Sequence, residues 1–288
     1  LLALLTGTAL AADEEIAGAD FNDGKMHWSI SADHVLTISG IGEMPNYSDS
    51  VNAPWYSYRS QIESIIVEDG ITALGSYAFY YCSEATSIDI PDGITTIPGS
   101  CFYGCSSLNS IILPDSIQFL GYDSFSSCSQ LKSITIPEGV TELNLSYVFY
   151  GCNSLKSISL PSTLKNFTGD LLDCTSNIYF NGSLDQWLHI SFGNRNSFHN
   201  SSIHILLYIN GEKLTNLTIP ESITSIPEYA FQCVQLNSVT IPDSVTSIGE
   251  DAFYSSSVTT VRMADSVTSV ETNAFANCSN LKKVYYVG

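Results

Sequence analysis

Eight cysteines recur along this chain, most of them at nearly constant intervals. A thiol can form a disulfide, bind zinc with other ligands, or act as a nucleophile. Cys101 precedes a phenylalanine, and the other seven close a repeated phrase, at Cys82, Cys105, Cys128, Cys152, Cys174, Cys233 and Cys278. Side chains at one recurring place point in parallel, which is poor disulfide geometry, and Cys101 with Cys105 supplies too few zinc ligands. We therefore expect small buried thiols whose role is packing.

Acidic residues form a second recurring set, each just after an apolar stretch, at Asp69, Asp92, Asp115, Glu138, Glu221, Asp243 and Asp265. One interpretation is a cation-binding edge or a strip for a basic partner. The other is turn capping, in which each side chain accepts a hydrogen bond from its own backbone. Asp-Gly and Asp-Ser are typical turn pairs and no calcium-loop pattern is present, so the sequence favours turn capping.

The sequence contains no pattern of residues that is typical of a catalytic site. The five histidines fall outside the repeated phrases and lack metal-ligand spacing. No serine or cysteine lies in a nucleophile-elbow pattern. We predict no catalytic residue, no metal site and no cofactor, and the chain is not expected to be an enzyme.

Charge and the first residues narrow the class of protein. The 288 residues carry a net charge of -19, which disfavours nucleic acid and anionic membranes as partners. Residues 1–12, LLALLTGTALAA, look like the remnant of a signal peptide, with Ala9 and Ala11 at a small-residue cleavage pattern. Twelve residues are too short to span a membrane. We predict an exported protein without membrane insertion.

The repeated phrase reads L-x-x-I-x-I-P-D-x-V-T-x-I-G-x-x-A-F-x-x-C-S, and its units begin at Ile62, Ala85, Leu108, Leu131, Leu155, Leu214, Leu236 and Val258. The I-x-I alternation predicts a short strand, which the proline ends, and Asp-Gly or Asp-Ser predicts a turn. The alanine–phenylalanine doublet is expected on one short helical turn. A unit of this length cannot bury its apolar face alone, whereas stacked units can. The prediction is an α/β repeat, a β-rich solenoid with short helical or 3-10 turns on the convex side.

Stacking places equivalent side chains in ladders. The doublet predicts an apolar spine of Phe79, Phe102, Phe125, Phe149, Leu172, Phe231, Phe253 and Phe275. Strand residues between the core positions face outward, at Ile66, Asp89, Ile112, Thr135, Ser159, Thr218, Thr240, Arg262 and Tyr285. Partners of solenoids bind on such a broad face.

Candidate binding residues lie where the copies differ. On the outward row they are Ile66, Asp89, Ile112, Thr135 and Arg262. Ile66 and Ile112 are apolar where solvent is expected, and the alternative is that they pack on the amino-terminal cap. The loop GNRNSFHNSS adds Arg195 and Phe198.

Tyrosines that follow the spine phenylalanines, Tyr80, Tyr103, Tyr150 and Tyr254, allow two interpretations. They form an exposed aromatic stripe suited to protein or sugar contact, or they pack on neighbouring turns. The sequence leaves both open.

The domain organisation follows from the repeats. Residues 13–61 are expected to form an amino-terminal cap with a β-hairpin, and residues 62–288 the repeats. An irregular unit at 177–213 contains a capping box, Ser183 with Gln186, and a hairpin turn at Asn210-Gly211. The terminal LKKVYYVG is expected to be a strand. Either the chain continues from it, which we favour, or its open edge pairs with a partner.

The I-x-I-P strand end, the V-T-x-I-G segment, the A-F doublet and the closing Cys-Ser resemble the leucine-rich repeats of BspA-like surface proteins. The resemblance implies a leucine-rich-repeat solenoid at the cell surface of a bacterium, or secreted by it, as in gut Firmicutes. It also implies adhesion to an extracellular protein or glycan of a host or neighbouring cell. The alternative is a carbohydrate-binding or spacer module of a larger surface protein. We expect a monomer.

Overall fold

A computed structural model of the chain describes residues 14–49, 51–144, 147–169, 176–193 and 204–287. In these ranges the chain winds into a β-rich solenoid of about nine turns, which confirms the predicted fold class. The proposed signal-peptide remnant at 1–12 lies outside the described residues, as do Leu172, Cys174, Arg195 and Phe198.

The amino-terminal part is an antiparallel sheet that continues into the solenoid. Its elements are β1 (Glu15–Phe21), β2 (Met26–Ser31), β3 (Val35–Gly40), β4 (Gly42–Glu43) and a 3-10 helix at Tyr56–Tyr58. Burial alternates along β2, where Met26, Trp28 and Ile30 point inward, because one face of this strand lies on the core. Strand β3 is antiparallel to β2 and parallel to the first repeat strand, so one sheet joins the two regions.

Regular units contribute an inner strand and, after a turn, a second short strand, except that the unit beginning at Leu108 has only the second. They form β5 (Ser64–Val67), β6 (Ile71–Ala73), β7 (Ser87–Asp89), β8 (Thr96–Ile97), β9 (Phe119–Leu120), β10 (Ser133–Thr135), β11 (Glu142–Asn144), β12 (Ser157–Leu160) and β13 (Asn166–Thr168). Equivalent strands pair in parallel, and Ile134 lies opposite Ile158. This register keeps each apolar ladder inside, since a slip of one residue would turn every side chain to the other face.

The irregular unit extends the same sheet. Its elements are β14 (Asn177–Phe180), α1 (Leu184–Trp187), β15 (Ser191–Phe192), β16 (Leu206–Ile209) and β17 (Glu212–Lys213). The capping box is confirmed: Gln186 N donates to Ser183 Oγ at 3.2 Å, and Ser183 N donates to Gln186 Oε1 at 2.8 Å. Asn210 and Gly211 have positive φ, 48° and 81°, and join the antiparallel β16 and β17 as a type I′ turn requires.

The last units repeat the pattern of the first. They form β18 (Asn216–Thr218), β19 (Ser225–Ile226), β20 (Ser238–Ile241), β21 (Ser247–Ile248), β22 (Thr260–Ala264), β23 (Ser269–Val270) and β24 (Lys283–Val287). Inner strands β18, β20, β22 and β24 pair in parallel in that order. Val239 and Val261 are buried and adjacent, so the core continues through them.

The convex segments consist of turns, and the expected helical turn is wrong for the described units. Residues two before and two after each spine phenylalanine have positive φ, as at Tyr77 (58°) and Tyr81 (57°) beside Phe79. Because residues with left-handed and right-handed backbone conformation alternate here, every second N–H group points towards the next unit. Tyr77, Phe79 and Tyr81 therefore donate to three carbonyls of the next unit, at 3.3, 3.0 and 2.7 Å. The N–H groups in between close turns within the unit, as from Tyr80 N to Tyr77 O at 3.3 Å. We call the bonds between units the turn ladder.

The predicted spine is continuous on both sides of the irregular unit. Stacked pairs have ring centroids 5.5 Å apart for Phe79–Phe102 and 4.9 Å apart for Phe253–Phe275. Trp55 extends the first run of the spine, and Trp187 contacts the backbone at the start of the second. Trp55 stacks on Phe79 at 5.9 Å and donates its indole N–H to Ala78 O at 2.8 Å. Trp187 donates in the same way to Ala230 O at 3.1 Å, so each tryptophan caps a carbonyl that faces backward along the turn ladder.

Candidate binding face

The outward row of the inner strands holds most of the predicted binding residues. Asp89 lies beside Ile66 in the β5–β7 pair, and Thr135 lies beside Ser159 in the β10–β12 pair. All of Ile66, Asp89, Ile112, Thr135 and Arg262 are exposed. We call Ile66, Asp89 and Ile112, which occupy the same position in three successive units, the apolar–acidic row.

Ile112 is the most exposed large apolar side chain of this row, at 87%, whereas Ile66 is 36% exposed. The alternative in which Ile112 packs on the amino-terminal cap is therefore wrong. Residues 110–113 adopt no strand, so the inner sheet is interrupted here between β7 and β10. Ile111 and Leu113 still point inward and are buried, which leaves Ile112 to project from the interruption.

An open groove of about 620 Å³ lies at the carboxyl ends of β5 and β7. Its walls include Ile66 and Asp89 from the apolar–acidic row. Glu68, Asp69 and Asp92 add three further exposed carboxylates. The groove thus joins apolar and acidic surface in one concave place.

Arg262 lies on the outward face of another sheet, among β18, β20, β22 and β24. Its guanidinium carbon is 5.3 Å from the ring centroid of Tyr285, its in-register neighbour on β24. This cation–π contact holds the side chain against its own sheet. The structure therefore separates Arg262 from the apolar–acidic row.

A stacked tyrosine pair on the outward row was missed by the sequence analysis. Tyr179 on β14 and Tyr208 on β16 follow Ser159 in register, and their ring centroids are 4.5 Å apart at 19°. Both lie in the irregular unit, where the repeated phrase cannot be aligned. The alternation in NIYF and LLYI was the available signal, because it directs the tyrosines opposite the buried Ile178 and Leu207.

The acidic side chains after the strands do not cap their own turns, contrary to the favoured interpretation. The turn closes through the backbone: Ile117 N donates to Pro114 O at 3.0 Å. Ser116 of the same turn donates to Ile94 O of the preceding unit at 2.7 Å. Asp115 accepts no hydrogen bond from the described residues, so its carboxylate is left to solvent or to a partner.

The tyrosines after the spine divide between the two interpretations. Tyr80 and Tyr103 pack on each other with ring centroids 5.0 Å apart, and burial with nearby charge raises the pKa of Tyr80 to about 12. Tyr254 accepts a hydrogen bond from Asn277 Nδ2 at 2.6 Å. Tyr150 is 63% exposed. These four positions therefore do not form one uniform exposed stripe.

The closing cysteines have a structural role. The thiols of Cys105, Cys128, Cys152 and Cys278 donate to the carbonyl of the spine phenylalanine in the preceding unit, at 3.1–3.4 Å. Burial raises the pKa of the Cys105 and Cys128 thiols well above the ordinary value, so they stay protonated donors at neutral pH. These thiols bind successive units together.

Cys233 does not occupy the closing position, contrary to the prediction. It lies two residues after Phe231 with φ of 60°, at the place of Tyr81 in the first unit, and Val234 occupies the closing position. Counting back from Leu236 misplaced it, because the spine phenylalanine lies five residues before Leu236 and six before Leu108 in the regular unit. The position accepts valine because it is buried among apolar groups.

Stability should fall at alkaline pH. Burial raises the pKa of Cys82 from 9.0 to about 12 and that of Tyr47 from 10.0 to about 12. An unfolded chain releases these protons at lower pH than the folded chain, so the stabilisation is complete below about pH 9 and declines between about pH 9 and 12. We expect a lower urea midpoint at about pH 10.5 than at about pH 8, and a smaller shift in Cys82→Ala. Equal midpoints at both pH values would contradict the assignment.

The exposed histidines form surface pairs with carboxylates. His27 Nδ1 is 2.8 Å from Asp20 Oδ1, and His189 Nδ1 is 3.5 Å from Asp185 Oδ2. Ser222 also contacts Asp185, but its hydroxyl donates to the carboxylate. A nucleophilic triad needs the serine on the imidazole instead. The cluster therefore has the wrong order for acyl transfer.

Two kinds of feature are absent from the described ranges. No group of three or more His, Cys, Asp or Glu side chains within them has an arrangement that could hold a metal ion. None of their helices has the length and apolar content that crossing a membrane requires.

Comparison with known families decides the classification. The model of the BspA type leucine rich repeat region matches six copies, over residues 49–179 and 201–287. The chain belongs to the BspA-type leucine-rich repeat family. In this BspA-type chain the inward strand residues and the spine phenylalanines form the core described above.

Two solved structures share the fold of the BspA-type chain. It is 23% identical to a leucine-rich repeat protein from Eubacterium ventriosum, with a TM-score of 0.51, covering 93% of this chain and 85% of that one. A leucine-rich repeat protein from Bacteroides ovatus is 20% identical, with a TM-score of 0.51 and coverage of 96% and 76%. A leucine rich cell surface protein from Faecalibacterium prausnitzii is 20% identical, with a TM-score of 0.39 and coverage of 94% and 95%. No curated protein matches the chain.

Proposed function

We propose that this BspA-type chain is an extracellular binding protein, secreted by a bacterium or held at its surface. It holds a protein partner against the outward face of its inner strands. The observation that carries the proposal is Ile112, an isoleucine that is 87% exposed on this face, compared with 36% for Ile66 in the same row. Burying an isoleucine in an interface stabilises a complex by about 1.5–3 kcal/mol.

The solenoid supports this use of the face. On either side of the interruption at residues 110–113, parallel strands in register hold the outward side chains at about 4.8 Å intervals, so a partner meets a rigid surface there without first ordering it. Many weak contacts along such a surface sum to useful affinity. Membership of the BspA-type family accords with a surface or secreted role.

Ile112→Ser should weaken partner binding at least tenfold, because it removes the most exposed large apolar side chain of the row. The measurement is surface plasmon resonance with the purified chain immobilised and extracellular matrix proteins and bacterial surface proteins as analytes. Phe119→Ser is the matched control, since Phe119 is 53% exposed in the same unit but lies on the second short strand. Equal loss in both variants, no loss in Ile112→Ser, or no partner at micromolar concentration would count against the proposal.

A glycan-binding role through Tyr80 and Tyr103 has less support. Sugar rings stack on open aromatic faces, whereas these two rings cover one another. A glycan-array signal that disappears in Tyr80→Ala would favour that role over protein binding.

A further inference from the structure

Unpaired carboxylates surround the groove beside the apolar–acidic row. In the described ranges the side-chain ion pairs all join a histidine to a carboxylate, and no lysine or arginine takes part. Glu68, Asp69, Asp89 and Asp92 therefore face the groove without a cationic partner from that part of the chain. Their summed field favours a positive charge in the groove, and the net charge of -19 strengthens it.

Apolar side chains stand on both sides of this charge. Along the outward row Ile66 precedes Asp89 and Ile112 follows it, one unit apart in each direction. Ile66 also lines the groove. A basic side chain that enters beside Asp89 would bring its neighbours over the two isoleucines.

We propose that this face binds a protein segment in which an arginine or lysine is flanked by apolar residues. The basic head enters the groove among the four carboxylates, and the flanking side chains cover Ile66 and Ile112. This inference rests on the proposed function and specifies the chemistry of the partner. Charge complementarity selects the partner, because an acidic or uncharged segment gains only the apolar contact.

Synthetic peptides test the chemistry directly. The probes are three fluorescent nonapeptides in which every second central residue is varied, because residues two apart lie on one face of an extended segment. Their central sequences are Leu-Ser-Arg-Ser-Leu, Leu-Ser-Glu-Ser-Leu and Ser-Ser-Arg-Ser-Ser, called below the Leu-Arg-Leu, Leu-Glu-Leu and Ser-Arg-Ser peptides. Fluorescence anisotropy measures their binding to the whole chain. The Leu-Arg-Leu peptide should bind at least tenfold more tightly than either of the others, and its affinity should fall as salt rises from about 50 to 300 mM. Equal binding of the Leu-Glu-Leu peptide would overturn the proposal.

Variants separate this inference from the proposed function. The double variant Asp89→Asn with Asp92→Asn should lower the affinity for the Leu-Arg-Leu peptide at least tenfold. Asp265→Asn is the control and should leave this affinity unchanged, because Asp265 is an exposed acid after a strand of a later unit. Circular dichroism checks that each variant folds. If Ile112→Ser weakens binding of a protein partner but Asp89→Asn with Asp92→Asn does not, the face binds a partner and the proposal of a basic segment is wrong. If neither weakens any partner, the proposed function has failed as well.

Discussion

Replacing Trp55 with alanine should lower the free energy of unfolding by about 3–5 kcal/mol, the usual cost of removing a large aromatic side chain from a core. Trp55 is only 1% exposed, and its ring contacts Phe21, Tyr47 and Phe79. Its loss opens a cavity and also leaves Ala78 O without its 2.8 Å donor. Urea unfolding followed by far-ultraviolet circular dichroism gives the measurement.

Trp55→Phe separates the two contributions. Phenylalanine keeps most of the ring contact but cannot donate to Ala78 O, and an unsatisfied buried carbonyl costs about 1–3 kcal/mol. We expect an intermediate loss of stability. A loss below about 1 kcal/mol in Trp55→Ala would show that the cap does not depend on this residue.

Phe102→Ala should also lower the free energy of unfolding by about 3–5 kcal/mol. The side chain is fully buried and stacks on Phe79 at 5.5 Å and on Phe125 at 5.4 Å, so its removal weakens both neighbouring units. The same urea titration measures the change.

Phe119→Ala is the matched control for that substitution. Phe119 belongs to the next unit and is 53% exposed, so its removal should change stability by no more than about 0.5 kcal/mol. Similar losses in the two variants would contradict the assignment of the spine as the core.

Repetition explains why the core could be predicted from sequence. A side chain such as Ile134 or Phe125 has the same type of neighbour in the units above and below, so one phrase predicts the contacts of all copies. The alternation that places Ile134 inward also places Thr135 outward, and both follow from a period of two. Regular positions therefore needed no information beyond the sequence.

The convex turns could not be predicted because the local preference is overruled. Tyr77, Tyr81 and Tyr147 have φ between 57° and 65°, a region that bulky side chains avoid in isolation. Hydrogen bonds to the next unit, such as Tyr81 N to Tyr103 O at 2.7 Å, compensate for that cost. A short helical turn satisfies local propensity but provides no such bonds between units.

The candidate face was predictable only where the phrase continues. The place of Ile66, Asp89 and Ile112 in the repeated phrase predicts that they face outward. The interruption of the sheet at residues 110–113 has no signal in the sequence. Tyr179 and Tyr208 lie where spacing fails as a guide. Their stacking depends on two strands that a non-repetitive segment brings side by side.

The turn ladder makes the solenoid a directional polymer. Each unit directs N–H groups towards the next unit and carbonyl groups towards the preceding one. A regular unit can therefore be added or removed between two others without changing the hydrogen bonds that form at either junction. Starting a run is different, because its first carbonyls need a donor that no regular unit supplies. Trp55 and Trp187 provide that donor, and each marks a point from which a new array can be assembled. The length of the outward face can therefore vary by whole units, while the initiating segments stay fixed.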